Sequence, residues 1–278
     1  MWKKEQSSWK IKIVIPYNCM LSIVMAAITI FAISLIFSIF GKGGGELYIP
    51  VMLTFLSISF YKAAGISLFL IFLQSISMVF IYSRKHNLID WKLAALLAFI
   101  VGISSFLGGF FSKLIDAKYL KISFAIVLLI SAFFLLLNKK ARFKIKGIWH
   151  RRIGNEEYYV NIPLILFPVA LAAFVAGMVG ISGGGLIVPI AVLLGSVPIR
   201  FAMGTNTFLV LVSSSMGFLG HVLKGGVDWH LCLIFSIAII IGSQIGSHMH
   251  IKIDEKVLRT GLAIILSLAS LWMILHTI

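Results

Sequence analysis

Two ten-residue stretches hold the residues with the most chemical potential in this chain. Gly41–Pro50 reads GKGGGELYIP and Gly180–Pro189 reads GISGGGLIVP, and each sits between long apolar runs. Glycine lets a backbone turn tightly and lets a ligand approach its N–H groups. A helix that starts in such a stretch presents N–H groups without intrahelical partners and a partial positive charge. That combination suits an anion. The pattern predicts donors from Gly43, Gly44 and Gly45 in one stretch and from Gly183, Gly184 and Gly185 in the other, with the Ser182 hydroxyl beside the second. Pro50 and Pro189 lack an N–H and have φ preset, which suits the first turn of a new helix.

A second element follows each stretch at matched spacing: YKAAGISL at Tyr61–Leu68 and RFAMGTNT at Arg200–Thr207. Ser67, Gly204, Thr205 and Asn206 could bind an oxyanion without full charge, or the polar ones could simply cap a helix start. Lys62 and Arg200 could draw anions in. Glu46 is the only acidic residue between Glu5 and Asp90, and it falls at the first break. Ionisable groups at membrane depth are costly and functional by default, so Glu46 is the candidate to carry a coupling proton. The alternative is neutralisation by Lys42 at a wet interface.

Other candidates have plainer explanations. His248 and His250 are two apart and would point to different sides of a helix, so an exposed turn explains them better than a metal. His221 reads as a polar end-group, and Asp90 and Asp228, each before a tryptophan, read as helix caps with interfacial anchors. GKGGGELY lacks the GK[ST] of a phosphate-binding loop. No nucleophile has an obvious base beside it, so an enzyme is not expected, nor is a cofactor. Cys19 and Cys232 both lie in apolar segments, which excludes a disulfide framework.

The elements that must position these groups are membrane helices. The 278 residues are 60% hydrophobic and 12% charged. That composition belongs to a polytopic membrane protein with a lipid bilayer as its solvent. The net charge of +15 fits loop lysines and arginines facing lipid headgroups better than nucleic acid. Its densest cluster, Lys139, Lys140, Arg142, Lys144, Lys146, Arg151 and Arg152, lies mid-chain.

The chain also overlays on itself. Residues 41–69 fall on 180–208 without a gap, pairing Gly44 with Gly183, Pro50 with Pro189 and Gly65 with Gly204. One deletion later Asp90-Trp91 falls on Asp228-Trp229 and Gly108 on Gly246. The expected fold is all-α with two homologous halves, 1–138 and 162–278, joined by a basic cytoplasmic loop at 139–161. Each half holds four spans, about 13–40, 63–83, 92–112 and 118–138, then about 162–180, 201–223, 230–250 and 257–277. Each adds a short apolar piece, about 46–58 and 186–198, too short to cross alone. Eight spans would make the halves parallel; ten, with the short pieces crossing, would make them inverted. Loop charge does not separate the two, and segment length favours eight.

GxxGGGLIVP followed by a short apolar piece and AMGTN, in a duplicated chain, resembles the TauE/SafE family of sulfite and organosulfonate exporters. Gly180, Gly183, Gly184, Gly185, Pro189, Gly204, Thr205 and Asn206 match the motif positions. The resemblance implies eight spans in duplicated halves and movement of a small sulfur-containing anion across the cytoplasmic membrane. The first half departs from the pattern: Lys42 and Glu46 intrude, and Ile66 and Ser67 stand where the second half has Thr205 and Asn206. A permease for another metabolite anion and a non-transporting scaffold remain the alternatives.

Overall fold

The computed structural model describes residues 17–39, 43–84, 87–136, 147–153, 156–249 and 255–275. Gly41, Lys42, His250 and the basic cluster from 139 to 146 lie outside the described residues. The elements in chain order are α1 (Tyr17–Ile39), α2 (Gly45–Leu56), α3 (Phe60–Arg84), α4 (Trp91–Phe111) and α5 (Ala117–Leu136). A hairpin of β1 (Trp149–Ile153) and β2 (Glu156–Val160) follows. The chain continues through α6 (Ile162–Val179), α7 (Gly184–Leu193), α8 (Ile199–Leu223), α9 (Trp229–Met249) and α10 (Glu255–Leu275).

Seven of these helices, α1, α3, α4, α5, α6, α8 and α9, are long and apolar enough to cross a membrane. The expected eighth span corresponds to α10, where the apolar described piece is the shorter Leu266–Leu275. The two short pieces are real helices of 12 and 10 residues, α2 and α7. The bundle is apolar outside, with Phe99, Phe167 and Ile237 exposed at 72%, 75% and 67%. Ser34, Ser67, Gln74, Ser131 and Asn206 are buried inside it. That is the arrangement a lipid solvent selects, since backbone and side-chain polar groups must be satisfied within the protein. The chain is a multi-pass membrane protein.

Helix directions differ from the parallel halves expected with eight crossings. α3 and α8 run antiparallel: the Phe69 and Phe218 rings meet at 5.2 Å, while Val79, towards the end of α3, packs near Phe208, towards the start of α8. α5 and α10 also run antiparallel, with Ser270 Oγ donating to the Ala125 carbonyl at 2.8 Å and Lys121 lying near Trp272. The cause is α2. Tyr82 Oη, towards the end of α3, donates to the carbonyl of Ile39 at the end of α1 (2.9 Å), and the Gly44 N–H reaches Gln74 at mid-α3. α1 and α3 therefore run the same way, with the short α2 running back between them. That return gives α8 and α10 directions opposite to α3 and α5.

Glycines set the closest helix approaches. A Cβ at Gly108 would strike the Phe174 carbonyl, bringing α4 onto α6, and a Cβ at Gly246 would strike the Leu35 carbonyl, bringing α9 onto α1. Small residues at membrane helix interfaces allow this contact. Gly65 meets the Gly226 backbone and Gly204 the Leu88 backbone in the same fashion.

The connecting segment is not a loop alone. Antiparallel pairing of Trp149 with Val160 and of Arg151 with Tyr158 builds a two-stranded hairpin. Arg151, expected at lipid headgroups, is instead buried: its Nε donates to Asp90 Oδ2 at 2.8 Å and its Nη2 to Asp90 Oδ1. Tyr158 donates to the same carboxylate at 2.6 Å and stacks on Phe201. Asp90 does cap α4, accepting from the Leu93 N–H at 3.1 Å. Burial alone pushes this carboxyl up, but the hydrogen bonds from Arg151, Tyr158 and Leu93 outweigh it and hold Asp90 below the usual carboxylate range.

Candidate functional site

The two glycine stretches come together inside the bundle. α6 ends at Gly180, whose φ of 85° is the left-handed cap that glycine tolerates and most residues do not. Gly183, at φ 68°, is the N-cap from which α7 starts. From the other break, a Cβ at Gly43 would lie 3.0 Å from Ser182 Cβ, and one at Gly45 would lie 3.1 Å from the Gly180 carbonyl. Ser67 Oγ donates to that carbonyl at 2.7 Å, so it supports the second break from α3.

Three side chains surround the first turn of α7. A Cβ at Gly184 would lie 2.7 Å from Asn206 Nδ2 on α8. One at Gly185 would lie 2.5 Å from Ser131 Oγ on α5 and 2.9 Å from Glu46 Oε1 on α2. Glu46, Ser131, Ser182 and Asn206 are all buried. The N-cap of α7 is Gly183, which has no side chain to cap the helix start. The hydroxyls of Ser131 and Ser182 have no hydrogen-bond partner among the described residues. Buried polar atoms normally find one, so these two hydroxyls leave hydrogen-bonding capacity unused beside the glycine start of α7.

The first break is occupied from within. Gln74 Oε1 accepts from the Gly44 N–H at 3.2 Å and from Tyr48 Oη at 2.7 Å, while Gln74 Nε2 donates to Ser38 Oγ at 2.8 Å. A side-chain amide thus stands where an anion at α2 would bind.

Several expected roles change. Thr205, Asn206 and Thr207 do not cap a helix start, because α8 begins at Ile199, about two turns earlier. Thr205 Oγ1 accepts from the Asp90 N–H at 3.0 Å and Gly204 packs on Leu88, so both hold the segment before α4. Pro50 and Pro189 lie mid-helix in α2 and α7. Lacking an N–H, each leaves a carbonyl four residues earlier, of Glu46 and of Gly185, without its helical donor. Glu46 sits in the interior, 1% exposed, and not at a wet interface. Lys62 and Arg200 are exposed. His248 lies in the last turn of α9, its Nδ1 beside the Gln244 carbonyl at 2.7 Å. Asp228 caps α9, accepting from the His230 N–H at 3.1 Å. A cavity of about 400 Å³, lined by Thr54, Ser57, Lys121 and Trp272, opens at the far end of α2, away from both breaks.

Sequence reasoning missed Ser131 and Gln74. Gln74 carried a usable signal as the lone amide in the apolar span 63–83. Ser131 carried none, since a single serine in a membrane helix is ordinary.

Interrupted helices that meet inside a bundle with an apolar exterior define the class as a membrane transporter of the broken-helix type. The family described as Sulfite exporter TauE/SafE matches residues 26–273, and the chain belongs to it. It is 30% identical over 261 residues to "Probable membrane transporter protein MJ0441" of Methanocaldococcus jannaschii, covering 88% of this chain and 92% of that one. It is 27% identical over 233 residues to "Probable membrane transporter protein YunE" of Bacillus subtilis, covering 79% and 84%. "Sulfite exporter TauE/SafE family protein 1" of Arabidopsis thaliana is 27% identical over 129 residues, covering 45% and 28%. No solved structure matches the chain.

Proposed function

We propose that the protein is a secondary transporter that exports a small sulfur-containing oxyanion, sulfite or a sulfonate, across the cytoplasmic membrane. The observation that carries the reading is the glycine start of α7, ringed by Asn206, Ser131 and Glu46, with the buried Ser131 and Ser182 hydroxyls left without a partner among the described residues. Backbone N–H groups of Gly184 and Gly185, with the partial positive charge of the helix start, hold the anion's oxygens. Asn206, Ser131 and Ser182 add neutral donors. Gly43, Gly44 and Gly45 form the opposing wall and do not make a second cradle. Glu46 holds the coupling proton. A charged carboxylate beside the cradle repels an anion and a neutral one does not, so the anion and a proton load together. Sulfite is also what the Arabidopsis relative's printed name states, and the oxyanion chemistry of the site agrees with it.

Two inverted halves rocking about the site would alternate its access. Reciprocal contacts support that reading. Gly108 on Phe174 and Gly246 on Leu35 pair positions that the overlay matches, and so do Gly65 on Gly226 and Gly204 on Leu88.

The test is flux in liposomes holding the pure protein, with sulfite, a sulfonate and a carboxylate compared with and without a pH gradient. Saturable flux of a sulfur oxyanion, lost in Asn206→Ala despite normal folding, is the expected outcome. Gradient dependence should vanish in Glu46→Gln. Folded protein that moves none of these anions sinks the reading in favour of another cargo or a scaffold.

A further inference from the structure

His221 lies in the last turn of α8, fully buried, at the junction of α3, α4, α6 and α8. Its Nε2 sits 3.1 Å from the carbonyl of Gly177, near the end of α6. A carbonyl only accepts, so Nε2 carries the hydrogen and Nδ1 is left as a bare lone pair. Nδ1 has no hydrogen-bond partner among the described residues. The imidazole thus satisfies a carbonyl near the C-terminus of α6, three residues before the Gly180 break, where helical partners run out.

The first half makes the same clamp with different chemistry. Position 221 overlays on 82 at the offset that pairs the glycine stretches, and Tyr82 Oη donates to the Ile39 carbonyl in the last turn of α1. Each broken helix is fastened by an aromatic donor from the later turns of the helix that follows its return. Tyrosine keeps its proton across the physiological range, whereas histidine is the side chain that gains one there.

We propose that His221 is a proton-binding site that fastens α6 when neutral and loosens it when protonated. A second proton enters at Nδ1, where no acceptor faces it, so the buried imidazolium favours an arrangement in which this junction opens to water. The titratable and charged groups described at this end include Tyr61 and Lys62 of α3, Lys113, Asp116 and Lys118 after α4, Lys224 and Asp228 between α8 and α9, and His230 at the start of α9. α6 contributes none. The Tyr61 ring lies 5.0 Å from the imidazole, centroid to centroid. Asp116 and Asp228 already accept helix-start N–H groups, from Lys118 and His230, and Lys113 Nζ is bound to the Lys224 carbonyl. The two aspartates keep their charge but neither reaches the ring, because Nδ1 has no hydrogen-bond partner among the described residues. The proposal is independent of the anion's identity and differs from the role of Glu46, which touches the α7 start.

The experiment follows thermal unfolding of the purified full chain between about pH 5.5 and 8, beside flux in liposomes over the same range. Wild type should lose stability towards acid, with the fastened-to-loosened ratio falling by up to about tenfold per pH unit. His221→Gln keeps a donor for the Gly177 carbonyl and cannot titrate, so its profile should be flatter by that amount. Tyr82→His should add an acid-sensitive step at the other break. An unchanged acid slope in His221→Gln overturns the proposal. Should that variant not fold, an acid slope in Tyr82→His no steeper than that of wild type overturns it instead. Absence of flux for every anion would sink the transporter reading while leaving the stability readout to decide this one.

Discussion

The two glycine breaks share a sequence pattern and differ in what fills them. At the first, Gln74 and Tyr48 close a hydrogen-bond network over the Gly44 N–H. At the second, α7 starts from Gly183 against Asn206, Ser131 and Glu46, and the Ser131 and Ser182 hydroxyls have no partner among the described residues. The lesson is that a repeated motif supplies two frames, and single side chains from neighbouring helices decide how each frame is filled. The comparison also explains why Ser67 and Asn206, aligned in sequence, do different work. Ser67 braces the Gly180 carbonyl, while Asn206 faces the Gly184 backbone.

The contrast can be broken most directly at Asn206. Asn206→Ala removes a donor at the proposed anion, and hydrogen bonds to charged groups contribute about 1.5–3 kcal/mol, so affinity should fall about 10- to 100-fold. Ser67→Ala should change it little; equal losses at both sites would erase the distinction. Gly185→Ala places a methyl against Ser131 Oγ, so flux should drop, and pairing it with Ser131→Gly should restore part of it. A recovery in the double variant, read by flux assay, would place both residues in one pocket.

Away from the breaks, Arg151→Ala strands the buried Asp90 carboxylate and should cost about 3–5 kcal/mol, read from denaturant unfolding. Because the Asp90 carboxyl is held below its ordinary value, its contribution is present at neutral pH. That contribution is lost as pH falls through the lowered value, beneath about 3.9, where the unfolded carboxyl titrates. Asp90→Asn should abolish that acid loss. The smallest expected effect sharpens the first break: Tyr48→Phe deletes one donor to Gln74 and should cost about 1 kcal/mol of stability while leaving flux at wild-type levels.

Much of this was readable from residue types. Glycine clusters with short apolar pieces announced the breaks, and the overlay matched Gly108 with Gly246 before either helix contact was visible. What stayed hidden depends on depth and register. The AMGTN element looked like a helix start because its polar residues interrupt an apolar run, but α8 begins at Ile199 and places Thr205 against Asp90. The return of the short α2 reverses the direction of every later helix, and no local pattern records that reversal. The hairpin was obscured by the basic cluster, in which Arg151 looked like any other loop cation.

The packing of α1 along α9 has a consequence for how the chain is made. Ile39 leaves the ribosome 190 residues before Trp229. At about 5–20 residues per second, α1 waits roughly 10–40 s for its partner. During that wait Ser34, whose hydroxyl later donates to the Ile239 carbonyl, has no such acceptor. Until then α1 rests on its earlier neighbour α3, through Tyr82 on the Ile39 carbonyl and Gln74 on Ser38.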